Sequence, residues 1–171
     1  FKAIDNVLYN ADLTTIITYP AMKTDKEYIM PETVTGVYGR FWNDYIEKLT
    51  VSRDMPAPCP LGDLPSLSEI TVQEGNTELY SENGVLFEQA DAHVMKDGDF
   101  VLTHVKNYEL SLYPPMKKGD TYNIPEGTVT VAFGAFDDNP YLKKVILPST
   151  LEMFITEFAD SKIEEFEVSK L

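Results

Sequence analysis

The sequence predicts a solenoid built mainly of β-strands, with short helical or irregular backs and inserted β-hairpin or meander units. The first observation is a pattern, apolar-x-x-apolar-x-apolar, shared by four segments that begin at Ile46, Leu67, Leu142 and Ile163. The first two segments start 21 residues apart, and so do the last two. A fixed period of this length is typical of a solenoid, in which each repeat buries its apolar face only by stacking on the next repeat.

The second observation is a longer duplication that encloses these segments. The matching stretches are 5–9 with 83–87, 19–23 with 113–117, and 28–32 with 122–126. The offset between the copies grows from 78 to 94 residues, so the second copy carries an insertion of about 16 residues, at 90–105. We therefore expect a single domain over 1–171, made of two related halves at about 1–75 and 76–171.

Each short repeat segment is expected to be a strand. Because side chains alternate along a strand, Leu49 and Val51 point to one face and Thr50 points to the other. Parallel stacking of such strands joins their inward side chains into one continuous core. Proline cannot donate a ladder hydrogen bond, so prolines mark where pairing stops. These prolines are Pro31, Pro125 and Pro148.

Stacking in register also places opposite charges on neighbouring strands. The expected neighbours are Lys48 with Glu69, Lys143 with Glu164, and Lys144 with Glu165. Such pairs favour the register by about a few tenths of a kcal/mol each when they are exposed. A layer of aromatic side chains is expected behind the sheet, at Phe41, Phe136 and Phe158.

The stretch between the two sets of repeats is expected to form a β-hairpin or meander packed on the solenoid. Residues 84–87 and 100–105 alternate as strands do, and Asp97-Gly98 between them is a turn signal. The corresponding N-terminal stretch, 7–19, is expected to be a shorter version of the same unit.

Composition excludes several function classes. The formal net charge of −14 would repel a nucleic-acid backbone, and no basic stripe offsets it. No apolar run approaches the roughly 20 residues that a membrane-spanning helix needs. Cys59 is the single cysteine, so no disulfide forms within the chain. The chain opens on Phe1 without an initiator methionine or signal peptide, so we expect a mature or excised segment, with lipid anchoring through a preceding segment left open.

Most of the chain resembles a known family, most strongly over residues 67–89 and 108–155. Residues 122–130, then Gly134-Ala135-Phe136, then 142–150 are similar to the BspA-type leucine-rich repeat, and 70–87 is similar to the connecting unit found in such proteins. The sequence departs from the family pattern at Arg40, Trp42 and Tyr45, and in the 90–105 insertion. The resemblance implies a bacterial cell-surface or secreted protein, with a role in adhesion and in binding host or matrix proteins.

The sequence contains few candidate catalytic or metal-binding residues. His93 and His104 flank the expected turn and are weak candidates for a metal site or a metal-dependent hydrolase; exposed strand positions are the favoured interpretation of both. Cys59 lies in a proline-rich loop and is expected to be a buried or half-exposed thiol rather than a nucleophile. The acidic stretch 137–139 lacks the spacing of a calcium loop and is expected to be a turn. No cofactor is predicted.

We therefore expect a non-catalytic module that binds a protein or glycan partner through its exposed sheet face. The outward sheet residues are Thr50, Thr71, Ile146 and Glu167, and the available aromatic anchors are Trp42, Tyr45 and Tyr141. Trp42 is either a core residue or an exposed anchor, and the core position is favoured. The structural alternative is a spacer within a longer surface protein, because both termini fall close to strands, which also fits an end-to-end assembly.

Overall fold

The chain folds as an all-β solenoid. A computed structural model describes residues 1–96, 98–154 and 158–169, and gives the backbone alone for 92–96 and 100. In these ranges the strands are β1 (Lys2–Ile4), β2 (Val7–Tyr9), β3 (Thr15–Thr18), β4 (Glu27–Ile29), β5 (Gly36–Val37), β6 (Lys48–Val51), β7 (Glu69–Val72), β8 (Leu79–Glu82), β9 (Val85–Lys96), β10 (Asp99–Leu112), β11 (Thr121–Asn123), β12 (Thr130–Val131), β13 (Lys144–Leu147), β14 (Met153–Phe154) and β15 (Glu165–Val168).

The strands form two rows of parallel ladders on opposite sides of the core. The front row comprises β4-β6-β7 in the first half and β11-β13-β15 in the second. The back row contains the parallel pair β3-β5 and the parallel run β10-β12-β14. One turn of the solenoid therefore passes from a front strand through a short corner to a back strand, then returns through a second corner.

The predicted register of the front row is confirmed. Lys48 pairs with Glu69 across β6 and β7, and Lys144 pairs with Glu165 across β13 and β15. Inward residues of these strands are buried, Leu49 and Val145 among them. The prolines expected to end the strands do follow them directly or one residue later.

The predicted hairpins are present in both halves and share one topology. Strands β1-β2-β3-β5 in the first half correspond to β8-β9-β10-β12 in the second, with antiparallel pairs followed by one parallel pair. The register shift after Leu8 reappears after Leu110, so the bulge is repeated as well. The insertion forms the distal part of β9 and β10, where Ala90 pairs with Val105. Asp97 of the expected turn lies outside the described residues, and Gly98 adopts the left-handed φ of +93° that such a turn requires.

Buried apolar side chains of the described residues form two clusters: the first is built by the first half together with Leu79 and Leu86, and the second lies within the second half. Strand β9 separates the two clusters. Leu86 belongs to the first cluster, whereas Val85 and Phe87 belong to the second. Successive side chains of a strand point to opposite faces, so a single strand can close two cores. The aromatic layer behind the front row is confirmed, with Phe41 and Phe136 fully buried and Phe158 packed partly buried against the second cluster.

The corners are irregular rather than helical within the described residues. Most corners, such as 19–26, are shorter than the roughly 12–15 residues that an isolated helix needs to be stable in water. Proline also disfavours a helix, and Pro56, Pro58 and Pro60 lie in one corner. The Ala57-Pro58 peptide bond in that corner is cis.

Candidate functional site

Three buried or half-buried asparagines hold the corners and belong to the scaffold rather than to a binding site. Asn139 is fully buried; its Nδ2 donates to the carbonyls of Pro114 and Lys117, both at 3.0 Å, and its Oδ1 accepts the N–H of Tyr141 and Leu142. Asn43 and Asn76 make the equivalent contacts in their own turns. The sequence interpretation missed these residues, although Asn followed three positions later by Ile or Leu recurs at all three sites.

The predicted outward residues of the front row are less open than alternation suggests. Thr50 and Thr71 are half-buried, and their hydroxyls form a hydrogen bond of 2.9 Å across β6 and β7. Ile146 is also half-buried. Glu167 is exposed and pairs with Lys144 at 2.7 Å. These side chains therefore lie on one face. Their hydroxyl and carboxylate groups mostly bind groups on neighbouring strands.

The charges on the front row form a ladder. Lys144 Nζ lies 2.9 Å from Glu165, and Lys48 Nζ lies 3.4 Å from Glu27 and 4.0 Å from Glu69. Hydrogen bonds to Glu167 and Glu165 raise the pKa of Lys144. Exposed pairs of this kind contribute about 0–1 kcal/mol each, so their main effect is on register.

A better candidate for recognition lies at the corner that follows β5. Residues 37–42 and 17–19 surround a concavity of about 340 Å³. Tyr38, Arg40 and Trp42 line it with exposed side chains, while Phe41 beneath them is buried. The favoured core position for Trp42 is wrong, because its side chain is 49% exposed. We refer to Tyr38, Arg40 and Trp42 as the aromatic corner.

Arg40 differs from the only other arginine of the chain. Arg53 is bound by Glu32 and Asp54 at 3.0 and 3.1 Å. Among the described residues, Arg40 has no ion pair or side-chain hydrogen bond, although acidic residues outnumber basic ones by 28 to 14. Its guanidinium is thus available to an external carboxylate or phosphate, groups that its planar fork matches.

The second half shows that the fold does not require the aromatic corner. The corresponding segment there runs from Val131 to Asn139 and carries Ala132 after the back strand, where the first half has Tyr38. Both residues make the same backbone contact, donating an N–H to the preceding back strand at 2.8 and 2.9 Å. The large side chain of Tyr38 is therefore not needed for the shared backbone contact.

The other predicted aromatic anchors do not line this concavity. Tyr45 and Tyr141 are half-buried, and each donates its backbone N–H to the buried asparagine two residues earlier. They occupy equivalent positions in the two halves and belong to the corners that the asparagines hold.

The predicted histidine pair lies on the hairpin arm. The exposed His104 ring places Nδ1 3.0 Å from Asp91 Oδ1 and Nε2 2.9 Å from Gln89 Oε1. The backbone register pairs His93 with Leu102, and the side chain of His93 lies outside the description. Among the described residues, no three His, Cys, Asp or Glu side chains are grouped so as to hold a metal ion.

Cys59 is half-buried in the proline-rich corner. Burial, with a smaller contribution from the Glu88 carboxylate, raises the pKa of its thiol to about 12. A thiol must lose its proton to act as a nucleophile, so this environment suppresses its reactivity near neutral pH.

This environment predicts slow labelling of Cys59. At pH 8 we expect a disulfide reagent such as DTNB to react at least about 100-fold more slowly with the folded protein than with the same protein in guanidinium chloride, because the folded thiol stays protonated. Absorbance of the released thiolate measures both rates. Equal rates in the two states would contradict the assignment.

Among the described residues there is no helix with the length and apolar character needed to cross a bilayer. No protein-family model matches the sequence, and no curated protein matches it significantly.

Solved structures of three bacterial proteins share the fold. A leucine-rich cell surface protein from Faecalibacterium prausnitzii matches with a TM-score of 0.57 and 19% identity over 80% of this chain and 34% of its own. The pneumococcal vaccine antigen PcpA matches with a TM-score of 0.59 and 24% identity over 83% and 39%. A leucine-rich repeat protein from Eubacterium ventriosum matches with a TM-score of 0.55 and 16% identity over 83% and 41%. The matches thus span less than half of each neighbour, and they support the resemblance to BspA-type repeats at the level of the fold.

Proposed function

From the leucine-rich repeat fold that this chain shares with bacterial cell-surface proteins, we propose that it is a non-catalytic binding module of a surface or secreted protein. Its partner is a protein or a glycan, including those of a host or matrix, and its principal contact is the aromatic corner. The observation that carries the proposal is the grouping of exposed Tyr38, Arg40 and Trp42 around one concavity, at the end of a rigid repeat.

The chemistry of the aromatic corner defines the partner. Tyr and Trp offer large flat surfaces with few rotatable bonds, and together with Arg they dominate the binding energy of known interfaces. Arg40 supplies a charge without a partner among the described residues, which favours a carboxylate on the ligand. The ligand therefore combines an apolar surface with an acidic group, as an acidic sugar or an acidic peptide does.

Two features make the scaffold suitable. Parallel ladders and the buried asparagines fix the backbone on both sides of the corner, so little ordering is required when a ligand binds. The front row, with Thr50, Thr71, Ile146 and Glu167, is the alternative contact surface, and the spacer role is the alternative function.

Trp42 is the single tryptophan, so its fluorescence reports directly on this site. We expect oligosaccharides that bear a single uronic or sialic acid, or short peptides with one Asp or Glu beside an apolar residue, to shift its emission on titration, because the net charge of −14 disfavours polyanionic ligands. Trp42→Ala should weaken binding by about 30-fold or more, measured by calorimetry, because a buried aromatic anchor contributes about 2 kcal/mol or more. Arg40→Lys tests whether ligand binding needs the planar guanidinium group rather than a positive charge alone.

Phe133→Ala is the matched control, because Phe133 is an exposed aromatic residue of the second half. It should leave binding unchanged. Thr50→Lys combined with Thr71→Lys tests the front row, with thermal unfolding to check the fold. Loss of binding in that variant but not in Trp42→Ala would move the site to the front row. Absence of binding to any acidic ligand would favour the spacer.

The hydrolase alternative has its own test. Metal analysis of the purified protein, repeated with His93→Ala and His104→Ala, should show no stoichiometric metal that depends on either residue. Bound metal that disappears in both variants would contradict the non-catalytic assignment.

A further inference from the structure

The aromatic corner is held in place by the next turn of the solenoid. Three backbone hydrogen bonds, of 2.7, 3.2 and 3.2 Å, join residues 41–43 to residues 60–63. The shortest runs from the Gly62 N–H to Phe41 O. Within this contact, Phe41 and Leu61 form a parallel β-bridge. The backbone of the aromatic corner is therefore fixed by a turn whose residues are not among those that line the concavity.

Gly62 lies at the closest approach between the two turns. A Cβ atom at this position would lie 3.0 Å from Phe41 O, 3.1 Å from the Cβ of Arg40 and 3.4 Å from the Cβ of Trp42. Two carbon atoms attract each other best at about 3.5–4.0 Å, so these contacts are too short. The three neighbouring atoms are a main-chain oxygen and two first side-chain carbons, which move only with the backbone. A side chain at position 62 would therefore displace the backbone of the aromatic corner.

The backbone conformation at Gly62 does not itself require glycine. Gly62 is not one of the glycines with a positive φ, in contrast to Gly39 at +84°. An L-residue can therefore adopt the backbone angles of Gly62, and what it would lack is space beside Arg40 and Trp42. Glycine at this position thus serves the neighbouring segment rather than its own turn.

The alternation of side chains explains why the close contact falls at this residue. Successive side chains of an extended segment point to opposite faces, so the buried Phe41 is flanked by the exposed Arg40 and Trp42. Across the bridge, Leu61 packs against the first cluster. Position 62 therefore faces outward, beside Trp42.

The stacking of the turns sets the direction in which a side chain would push. Residues 37–42 lie between residues 17–19 of the preceding turn and residues 60–63 of the following turn. The concavity lies on the side of residues 17–19. A side chain added at position 62 would thus move the aromatic corner into the concavity and narrow it.

We propose that Gly62 is the positioning residue of the aromatic corner. The absence of a side chain at Gly62 lets the following turn hold Arg40 and Trp42 where the concavity stays open to a ligand. The inference rests on the proposed function for the identity of that ligand, which combines an apolar surface with a carboxylate. Gly62 acts through the aromatic corner and does not touch the ligand.

Gly36 offers a matched control within the same turn as the aromatic corner. It lies in β5, its φ is not positive, and a Cβ atom there would meet no other atom within 4 Å. The same substitution at the two positions adds the same atoms, but only at Gly62 do they meet the aromatic corner. Alanine adds the Cβ alone and valine adds two further methyl groups, so the effect at Gly62 should be graded.

Fluorescence of the free protein tests the placement without any ligand, because Trp42 is the single tryptophan. We expect Gly62→Val to change the constant for quenching by acrylamide, and Gly62→Ala to change it in the same direction by less. Gly36→Ala and Gly36→Val should leave the constant unchanged. Thermal unfolding of each variant checks that the fold is kept.

Calorimetry measures binding of two probes that each carry one carboxylate, sialyllactose and the dipeptide acetyl-Phe-Glu-amide. We expect Gly62→Ala to weaken binding by about 3-fold and Gly62→Val by about 10-fold or more, because a displacement approaching 1 Å spoils the geometry of a site. The Gly36 variants should bind within about 2-fold of the unchanged chain, as substitutions in open space do.

Two results would overturn the proposal. One is Trp42 quenching that is the same in Gly62→Val as in Gly36→Val, even if Gly62→Val unfolds at a lower temperature, because Gly62 would then have a structural role alone. The other is a Gly62→Val variant that binds a probe as tightly as the unchanged chain does. If Gly62→Val does not fold, Gly62→Ala against Gly36→Ala makes both comparisons.

The two readouts separate this inference from the proposed function. If neither probe binds the unchanged chain but Gly62→Val still alters the quenching of Trp42, the positioning by Gly62 is supported and the proposed ligand class is wrong. If a probe binds the unchanged chain and both Gly62 variants equally well, the proposed function is supported and the positioning by Gly62 is wrong.

Discussion

Asn139→Ala is expected to lower the free energy of unfolding by about 3–5 kcal/mol. The substitution leaves two carbonyls, of Pro114 and Lys117, and two N–H groups, of Tyr141 and Leu142, without the amide that joins them. Each buried polar group left unsatisfied costs about 1–3 kcal/mol, and water entering the vacated space offsets part of that total. Such a loss is a large share of the stability of a small domain, about 5–15 kcal/mol.

Chemical denaturation measures the effect, and the other asparagines provide the comparison. Asn76 makes the same contacts but is half-buried, so Asn76→Ala should cost less than Asn139→Ala, because water reaches its partners. Asn139→Asp keeps the acceptor and replaces the donor, so it should also be destabilising, since a carboxylate would face two carbonyls. A loss below about 1 kcal/mol in Asn139→Ala would show that the corner does not depend on the amide.

Phe136→Ala is expected to cost about 3–5 kcal/mol, the range for removing a large aromatic side chain from a packed core. Phe136 is fully buried, and its ring centroid lies 5.4 Å from that of Tyr113 and 6.3 Å from that of Phe158. The second core is small, so the cavity left by the ring has few side chains that can move to fill it.

Thermal and denaturant unfolding, followed by circular dichroism, measure this change. Phe136→Leu is the matched variant and should cost about 1–2 kcal/mol, because it removes less volume. Phe133→Ala should stay within about 0.5 kcal/mol, because Phe133 is exposed. If Phe136→Ala were no worse than Phe133→Ala, the aromatic layer would not be the packed core described above.

Several elements could be predicted from the sequence, because each depends on local pattern. The front strands follow from alternation around Leu49 and Val145, and their register follows from pairing Lys48 with Glu69 and Lys144 with Glu165. The hairpin follows from turn chemistry and from the internal duplication. The extra length of the second hairpin follows from the change in offset between the two copies.

Other features could not be predicted in this way. The role of the three asparagines was not predicted, because their carbonyl partners lie 20–25 residues earlier in the chain and become neighbours only when turns stack. For Trp42 the sequence left both a core position and an exposed anchor open and favoured the core, whereas the structure exposes Trp42 and buries its neighbour Phe41. The front-row threonines looked exposed, and the structure joins them through their hydroxyls.

The sequence by itself determined that this protein is a repeat solenoid with an inserted hairpin, since periodic burial and turn residues are properties of neighbouring positions in the chain. Only the tertiary structure decided which surfaces remain exposed once the turns have stacked. It placed Tyr38, Arg40 and Trp42 around one concavity. The physical reason is that exposure and complementarity depend on how turns from distant parts of the chain lie against one another, which no local pattern encodes.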